Sequence, residues 1–250
     1  MGSTSSCCEE DLGPTAGVAV VAARAVRGRV TEPGPDRGWT RAWSGARADV
    51  DASHGPVAKA SRQTEVWIRL LDICGAWAIL IPALPIMLMA MLLIRITSGK
   101  PVFYRQERVG KAGQLFTLYK LRTMVNDAEK RVGPIWASHD DDRITPIGRL
   151  LRKVRLDEFP QLYNVLRGDM SLVGPRPERP FFVARYEVLQ GVRLAVRPGL
   201  TGLAQVRSSY DLPPAHKVKY DRLYIRNRSL PLNCRILLCT IPVVLGRKGW

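Results

Sequence analysis

From Ile73 to Ile94 the chain reads ICGAWAILIPALPIMLMAMLLI, 22 residues without a charge. At a helical rise of about 1.5 Å per residue, such a run can cross a hydrocarbon core. A buried core helix fits poorly, because such helices seldom stay apolar around their whole circumference for about six turns. Pro82 and Pro85 lie mid-run, where each removes a backbone donor and crowds the preceding turn, so a bend is expected. Basic residues flank both ends, Arg69 before and Arg95, Lys100, Arg105 and Arg108 after. Positive charge favours the cytoplasmic face. A helix that enters, bends near Pro85 and returns satisfies both observations, and a tilted, kinked full span is the competing geometry.

Beyond this run the pattern changes period. Residues 101–124, PVFYRQERVGKAGQLFTLYKLRTM, hold two stretches rich in Val, Phe, Tyr, Thr and Leu around Gly110-Lys111-Ala112-Gly113, a hairpin signal. Ile147 to Val154 and Asp157 to Leu166 read as helices, whereas Gly174-Pro-Arg-Pro177 and Arg197-Pro-Gly199 read as turns or extended loops. Cys234 to Leu245 is apolar but too short to span, and suits the headgroup region. Residues 1–64 contain only eight Leu, Ile, Val or Phe among many Gly, Ala, Pro and Ser, too few to bury a core. Their one apolar patch is interrupted by Arg24, Arg27 and Arg29, so neither a signal-peptide core nor a spanning helix fits. The expected organisation is a disordered leader over 1–64, a re-entrant membrane helix over 65–98 and a cytosolic catalytic domain over 99–250.

Charge narrows the partners. The formal net charge is +16, and the leader's eight basic and seven acidic residues contribute almost none of it. Such an excess calls for an anion: nucleic acid, acidic lipid or a phosphorylated substrate. The five cysteines, Cys7, Cys8, Cys74, Cys234 and Cys239, form no C-x-x-C pair with matching histidines, and His54, His139 and His216 stand apart. A disulfide framework and a structural zinc site are therefore disfavoured.

Asp157 and Glu158 open LDEFPQLYNVLRGDM, where Pro160 suits a first helical turn and Leu162, Val165 and Leu166 mark an apolar stripe. Asp157 is thus expected at or beside a helix N-cap, where backbone N–H groups favour a carboxylate and attract phosphate. Arg149, Arg152, Lys153 and Arg155 precede the pair; Arg167, Arg176 and Arg179 follow it. Carboxylates, a divalent metal and arginine forks are what phosphoryl transfer needs: a nucleophile, charge neutralisation and a grip on phosphate oxygens.

With Arg69-x-x-Asp72, PVFYRQERVG, LYKLRTM, DRITPIGRLLRKVRLDEFPQLYNVLRGDMSLVGPRPE and VRPGLTGLAQV in order over residues 66 to 245, the chain resembles the bacterial sugar transferases. These are monotopic polyprenyl-phosphate phosphoglycosyl transferases, and the likeness is to their short form. The resemblance implies a mostly helical α+β fold with a proline-bent re-entrant helix, a small β-hairpin and interfacial amphipathic helices. It implies that Asp157 attacks the sugar-bearing phosphate of a nucleoside-diphosphate sugar, usually a UDP-sugar, and that polyprenyl (undecaprenyl) phosphate then takes the sugar-phosphate, initiating exopolysaccharide or glycoconjugate synthesis. Magnesium, with manganese as a substitute, would be held at Asp157 and Glu158. Arg152 matches the phosphate-gripping arginine and Arg176 lies in the Pro-Arg-Pro loop. Lys120, Arg122, Arg143, Asp169, Arg197 and Gln205 match further substrate-binding motif positions, and Pro82 and Pro85 mark the membrane bend. The chain departs from the usual pattern at Ile68, at Leu84 before the proline, and at Asn233 in place of an aspartate.

The implied partners are a UDP-sugar, polyprenyl phosphate, inner-leaflet phospholipid and downstream glycosyltransferases, with no nucleic acid, at the cytoplasmic face of the bacterial inner membrane. Two readings compete. A membrane-tethered basic binding protein would hold nucleic acid or anionic lipid without catalysis, but no recognisable nucleic-acid module is present. A metal-dependent hydrolase of the same fold would let water attack the aspartyl phosphate.

Overall fold

The computed structural model describes residues 61–126, 128, 141–207 and 214–246. The leader expected over 1–64 lies outside the described residues except for its last four, where the first helix already begins. That helix, α1 (Arg62–Thr97), is capped by Ser61, whose side chain accepts from the Thr64 N–H, and its backbone stays helical through Pro82 and Pro85. Ile68, Asp72, Ala76, Ala83, Ala90 and Ile94 form its buried stripe. The other faces stay apolar and exposed, with Trp77, Ile81, Ile86, Met89, Leu92 and Ile96 each half-exposed or more. This is the one helix among the described residues long and apolar enough to cross a membrane. So large an exposed apolar surface requires a non-aqueous neighbour.

Both ends of α1 are fastened to the same polar body. Near its start, Arg69 donates to the carbonyls of Val165 (2.6 Å) and Leu166 (2.7 Å). Asp72 Oδ1 accepts from Ser171 Oγ and the Leu172 N–H, both at 2.8 Å, and Glu65 pairs with Arg228. Past its other end, Arg122 donates to the carbonyls of Ser98 and Gly99. Burial lowers the pKa of Arg122.

The hairpin expected from the alternating pattern is present. β1 (Phe103–Val109) and β2 (Leu115–Leu121) pair antiparallel, Phe103 opposite Leu121 and Val109 opposite Leu115, around a short 3-10 turn at Lys111–Gly113. Helix α2 (Pro146–Lys153) follows, with Thr145 Oγ1 accepting from the Gly148 N–H at 3.0 Å. A Cβ on Gly148 would sit 2.0 Å from the Thr123 carbonyl oxygen, so glycine lets α2 lie directly on the strand exit. Helix α3 (Gln161–Arg167) ends on Gly168 in the left-handed region (φ 97°), which only glycine adopts without strain.

Two three-residue strands, β3 (Ser171–Val173) and β4 (Gly199–Thr201), pair in parallel. Between them lie α4 (Pro180–Arg185) and 3-10 turns at Glu187–Leu189 and Gly191–Ala195. Then come α5 (Leu203–Arg207), α6 (Pro214–Arg226) and α7 (Leu230–Leu245), the last containing the apolar tail. Leu118, Leu162, Val165, Met170, Leu172 and Ile236 form the main core with Ala76 of α1. Leu121, Leu151 and Leu156 form another, with Ala90 and Ile94. The fold is thus mostly helical with two small sheets, and α1 contributes to separate cores at its two ends.

A Cβ on Gly199 would fall 2.0 Å from the Gly174 backbone N, so β3 and β4 approach this closely only with glycine there. Gly199→Ala is expected to cost at least about 2 kcal/mol through forced backbone separation. Thermal unfolding of the detergent-solubilised protein measures it, and an unchanged midpoint would refute the tight pairing.

Candidate active site

The carboxylate pair is presented by an irregular turn rather than by a helix cap. Were the α-helix to begin at Asp157, the Leu156 carbonyl would need an N–H from residue 160, which is proline. The Phe159 N–H takes that carbonyl instead, at 3.3 Å, and the Glu158 N–H reaches Arg155 O at 3.2 Å. Leu156–Glu158 is therefore a 3-10 turn, and α3 starts after it, with Pro160 at its N-cap and no side-chain cap. This corrects the expectation that Asp157 lies at or beside the helix N-cap: the N-cap is Pro160, three residues further on. Arg155 reverses the chain at φ 58°, ψ 14°, the left-handed region, a strain of about 1 kcal/mol or more for a residue with a Cβ. Asp157 and Glu158 are 6% and 8% exposed, an unusual depth for adjacent acids.

The two carboxylates are treated differently by their surroundings. Lys120 Nζ, at the end of β2, lies 2.8 Å from Glu158 Oε1. Arg176 forks onto the same carboxylate, Nη2 at 2.5 Å from Oε1 and Nη1 at 3.4 Å from Oε2. Burial pushes Glu158 upward, but Arg176 and Lys120 outweigh it and hold this carboxyl well below the usual range. Asp157 goes the other way. Burial raises it to about 6, with Lys120 and Arg152 pulling it down and the Glu158 charge pushing it up. Two adjacent acids with separated proton affinities can take different tasks: Glu158 stays a fixed anion among cations, and Asp157 is a desolvated carboxyl of raised proton affinity.

Arg152 joins this group from the last turn of α2, its Nε donating to Thr123 Oγ1 at 2.8 Å. Thr123 O also accepts from the Thr145 N–H at 3.0 Å. One residue therefore fixes both the start of α2 and the arginine at its end. Of the motif residues, Asp157, Glu158, Lys120, Arg152 and Arg176 come together.

The others lie elsewhere. Arg122 holds the exit of α1, as described above. Arg143 forks onto Asp141 through Nε (2.7 Å) and Nη2 (2.5 Å), holding the Asp141 carboxyl below its usual value. Asp169 accepts from Asn164 Nδ2 at 3.2 Å, and Arg197 Nε donates to Gly168 O at 3.0 Å, so both secure the turn after α3. Gln205 sits in α5 with both amide atoms buried and without a hydrogen-bond partner among the described residues. Pro82 and Pro85 are in α1, away from the carboxylates in sequence and inside the apolar segment.

Asn164, Arg193 and Asp221 escaped the sequence reading, and Asn233 was noted only as a departure from the family pattern. Asn164 is fully buried and ties α3 to β2 by donating to Thr117 O (2.8 Å) and accepting from the Tyr119 N–H (3.2 Å). Arg193 and Asp221 form an ion pair at 2.6 Å beneath the Arg176 loop. A lone charge inside the apolar GVRLAV was the available signal for Arg193, since a buried guanidinium demands a partner. Asn233, in place of the frequent aspartate, is also fully buried and accepts from Tyr224 Oη at 2.9 Å. Burial raises the Tyr224 hydroxyl to about 12.

Among the described residues, no three His, Cys, Asp or Glu side chains cluster as a metal cage. Magnesium seldom needs one, since it is commonly held by one or two carboxylates together with phosphate oxygens and water. The hard oxygens of Asp157 and Glu158 fit that donor set.

Comparison with known proteins places this arrangement. The family model for bacterial sugar transferase matches residues 63–247. Over 188 residues the chain is 42% identical to the UDP-N-acetylgalactosamine-undecaprenyl-phosphate N-acetylgalactosaminephosphotransferase of Aeromonas hydrophila, covering 72% of this chain and 44% of that protein. It is 38% identical over 205 residues to the undecaprenyl-phosphate galactose phosphotransferase of Salmonella typhimurium, covering 76% of this chain and 43% of that one. The chain therefore spans less than half the length of these two relatives. Against the uncharacterised sugar transferase EpsL of Bacillus subtilis, identity is 39% over 181 residues, 72% of this chain and 88% of the relative. The match takes in the membrane-length helix, the hairpin, the buried carboxylate pair and the Pro-Arg-Pro loop alike, and the chain belongs to the bacterial sugar transferase family.

Proposed function

We propose that the protein transfers a sugar-1-phosphate from a UDP-sugar to undecaprenyl phosphate, through an aspartyl-phosphosugar intermediate on Asp157. The observation that carries this reading is the divided carboxylate pair: Glu158 neutralised by Lys120 and Arg176, and Asp157 desolvated beside them with its proton affinity raised. An oxygen of Asp157 attacks the sugar-bearing phosphorus, and the bond from that phosphorus to the bridging oxygen breaks, releasing UMP. An oxygen of the polyprenyl phosphate then attacks the same phosphorus and the aspartyl oxygen leaves, restoring the carboxylate. Lys120, Arg152 and Arg176 orient the phosphate and offset its developing charge. Magnesium held by Asp157 and Glu158 would supply Lewis-acid neutralisation of the diphosphate. Arg122, Arg143, Asp169 and Arg197 serve the site from its margins, by fixing the loops around it.

The apolar segment supports a membrane-bound reading, with residues 65–98 as a re-entrant helix bent at Pro82 and Pro85 and residues 99–250 as a catalytic domain on the cytoplasmic face of the bacterial inner membrane. Attachment of both ends of α1 to one polar body favours return to the same side, because Ile68 and Ile94 would stand about 39 Å apart along a straight helix. The products would start an exopolysaccharide or glycoconjugate, with downstream glycosyltransferases as partners.

The detergent-solubilised protein should release UMP from one member of a UDP-sugar panel, continuing past one equivalent only with polyprenyl phosphate present, and EDTA should stop it. Sustained sugar-phosphate release without acceptor would instead establish a hydrolase.

A further inference from the structure

Four consecutive carbonyls of the loop after β3 are held from three parts of the fold: β4, the 3-10 turn at Gly191–Ala195, and the end of β1. Pro175 O accepts from the Gly199 N–H at 2.9 Å, and Glu178 O accepts from the Val109 N–H at 3.0 Å. Between them, Arg193 Nη2 donates to Arg176 O at 2.6 Å and Arg108 Nη1 to Pro177 O at 2.9 Å. Pro175 and Pro177 further restrict the backbone on either side of Arg176. Burial lowers Arg108 to about 10, with Glu178 opposing the shift, so it remains a cation at neutral pH.

Arg193 differs from the other holders in what stands behind it. Its side chain is 5% exposed and its Nε meets Asp221 Oδ2, itself 2% exposed, at 2.6 Å; Glu178 Oε1 lies 3.9 Å away. A buried ion pair is a poor device for stability alone, because desolvation offsets most of its attraction. It is a good device for fixing an angle, since Asp221 on α6 takes one edge of the planar guanidinium and leaves another nitrogen aimed at the loop. The loop residue so held carries the fork onto Glu158.

We infer that Arg193, braced by Asp221, is a positioning residue: it sets the Arg176 backbone so that the Arg176 guanidinium meets Glu158. This rests on the transfer reaction proposed above. The buried charge therefore acts on the reaction through Arg176 and makes no contact with substrate.

Arg193→Lys separates positioning from support. Lysine keeps the charge opposite Asp221 but replaces the planar fork, which meets Asp221 and the Arg176 carbonyl through two different nitrogens, by a single ammonium on a flexible stem, so the fixed angle between the two is lost. The variant should melt within a few degrees of wild type yet release UMP about 10- to 100-fold more slowly, as loss of such orienting groups does at other sites. In an Arg176→Ala background the same substitution should change the residual rate by no more than about twofold, since the residue it acts through is gone. A wild-type rate for Arg193→Lys, or an equal loss in both backgrounds, would overturn the inference. A second arm needs no turnover. Phenylglyoxal modification of Arg176, followed by peptide mass mapping, should accelerate severalfold in Arg193→Lys as the fork leaves Glu158, and an unchanged rate would also overturn it. If wild type releases UMP from no nucleotide sugar, the transfer reaction fails, and the modification rate alone decides the clamp.

Discussion

Asp157→Asn is expected to lower UMP release by at least about 10^3-fold, the scale seen when a covalent nucleophile is removed. Asparagine matches the shape of the buried side chain but has no oxygen able to bond phosphorus and later leave as a carboxylate. The same change should make the metal-free protein more stable at neutral pH, because it replaces a desolvated charge by a neutral amide. The sign with pH follows. The folded-state pKa of Asp157 is raised to about 6, so its contribution to stability is complete below its unfolded value near 4 and is lost as pH rises through about 6. The asparagine variant does not titrate there. Its advantage, on the order of 2 kcal/mol at pH 7, should therefore close as pH falls from about 6 to about 4. Thermal melts of both proteins across that range in EDTA measure it, and a gap that widens on acidification would contradict the raised pKa.

Glu158→Gln is expected to cost about 10^2-fold or more in rate, with a diagnostic change in pH dependence. It removes the anion that pushes Asp157 upward and releases Lys120 and Arg176, both of which pull Asp157 downward. The acidic limb of the metal-free Asp157 titration should move to lower pH. Stability should fall as well, since two cations lose their shared carboxylate. Lys120 and Arg176 are 19% and 28% exposed, so water screens part of the loss, and about 1–3 kcal/mol is expected rather than the larger cost of a fully buried pair. A titration of Asp157 observed by carboxyl NMR would decide the direction, and a shift to higher pH would show that Glu158 is not the anion that raises it.

Much of this organisation was legible in the chain where interactions are local. The hairpin follows from two alternating stretches around Gly110 to Gly113, and the observed β1 and β2 lie within them. Helices α2 and α3 follow from their apolar spacing, and α1 from composition alone. The parallel β3–β4 pairing was not legible. Each strand has three residues, 28 positions separate their starts, and Ser171–Val173 is buried throughout, so no alternation marks it. The placement of Asp157 on a 3-10 turn was also hidden, because a proline fits more than one position at a helix start and here Pro160 is the N-cap. Of the site, residues near Asp157 in sequence were readable as a cationic surround. Arg176 was read among those cations and Lys120 came from motif resemblance alone, and the Arg193–Asp221 brace needed the fold, since a long-range ion pair leaves no periodic trace.

The most direct measurement is intact mass spectrometry of rapidly quenched protein incubated with magnesium and the UDP-sugar selected by UMP release, with acceptor withheld. The expected result is one added sugar-phosphate, located on the peptide containing Asp157 and lost when polyprenyl phosphate is supplied. UMP release without any adduct, or an adduct on another side chain, would contradict covalent transfer through Asp157.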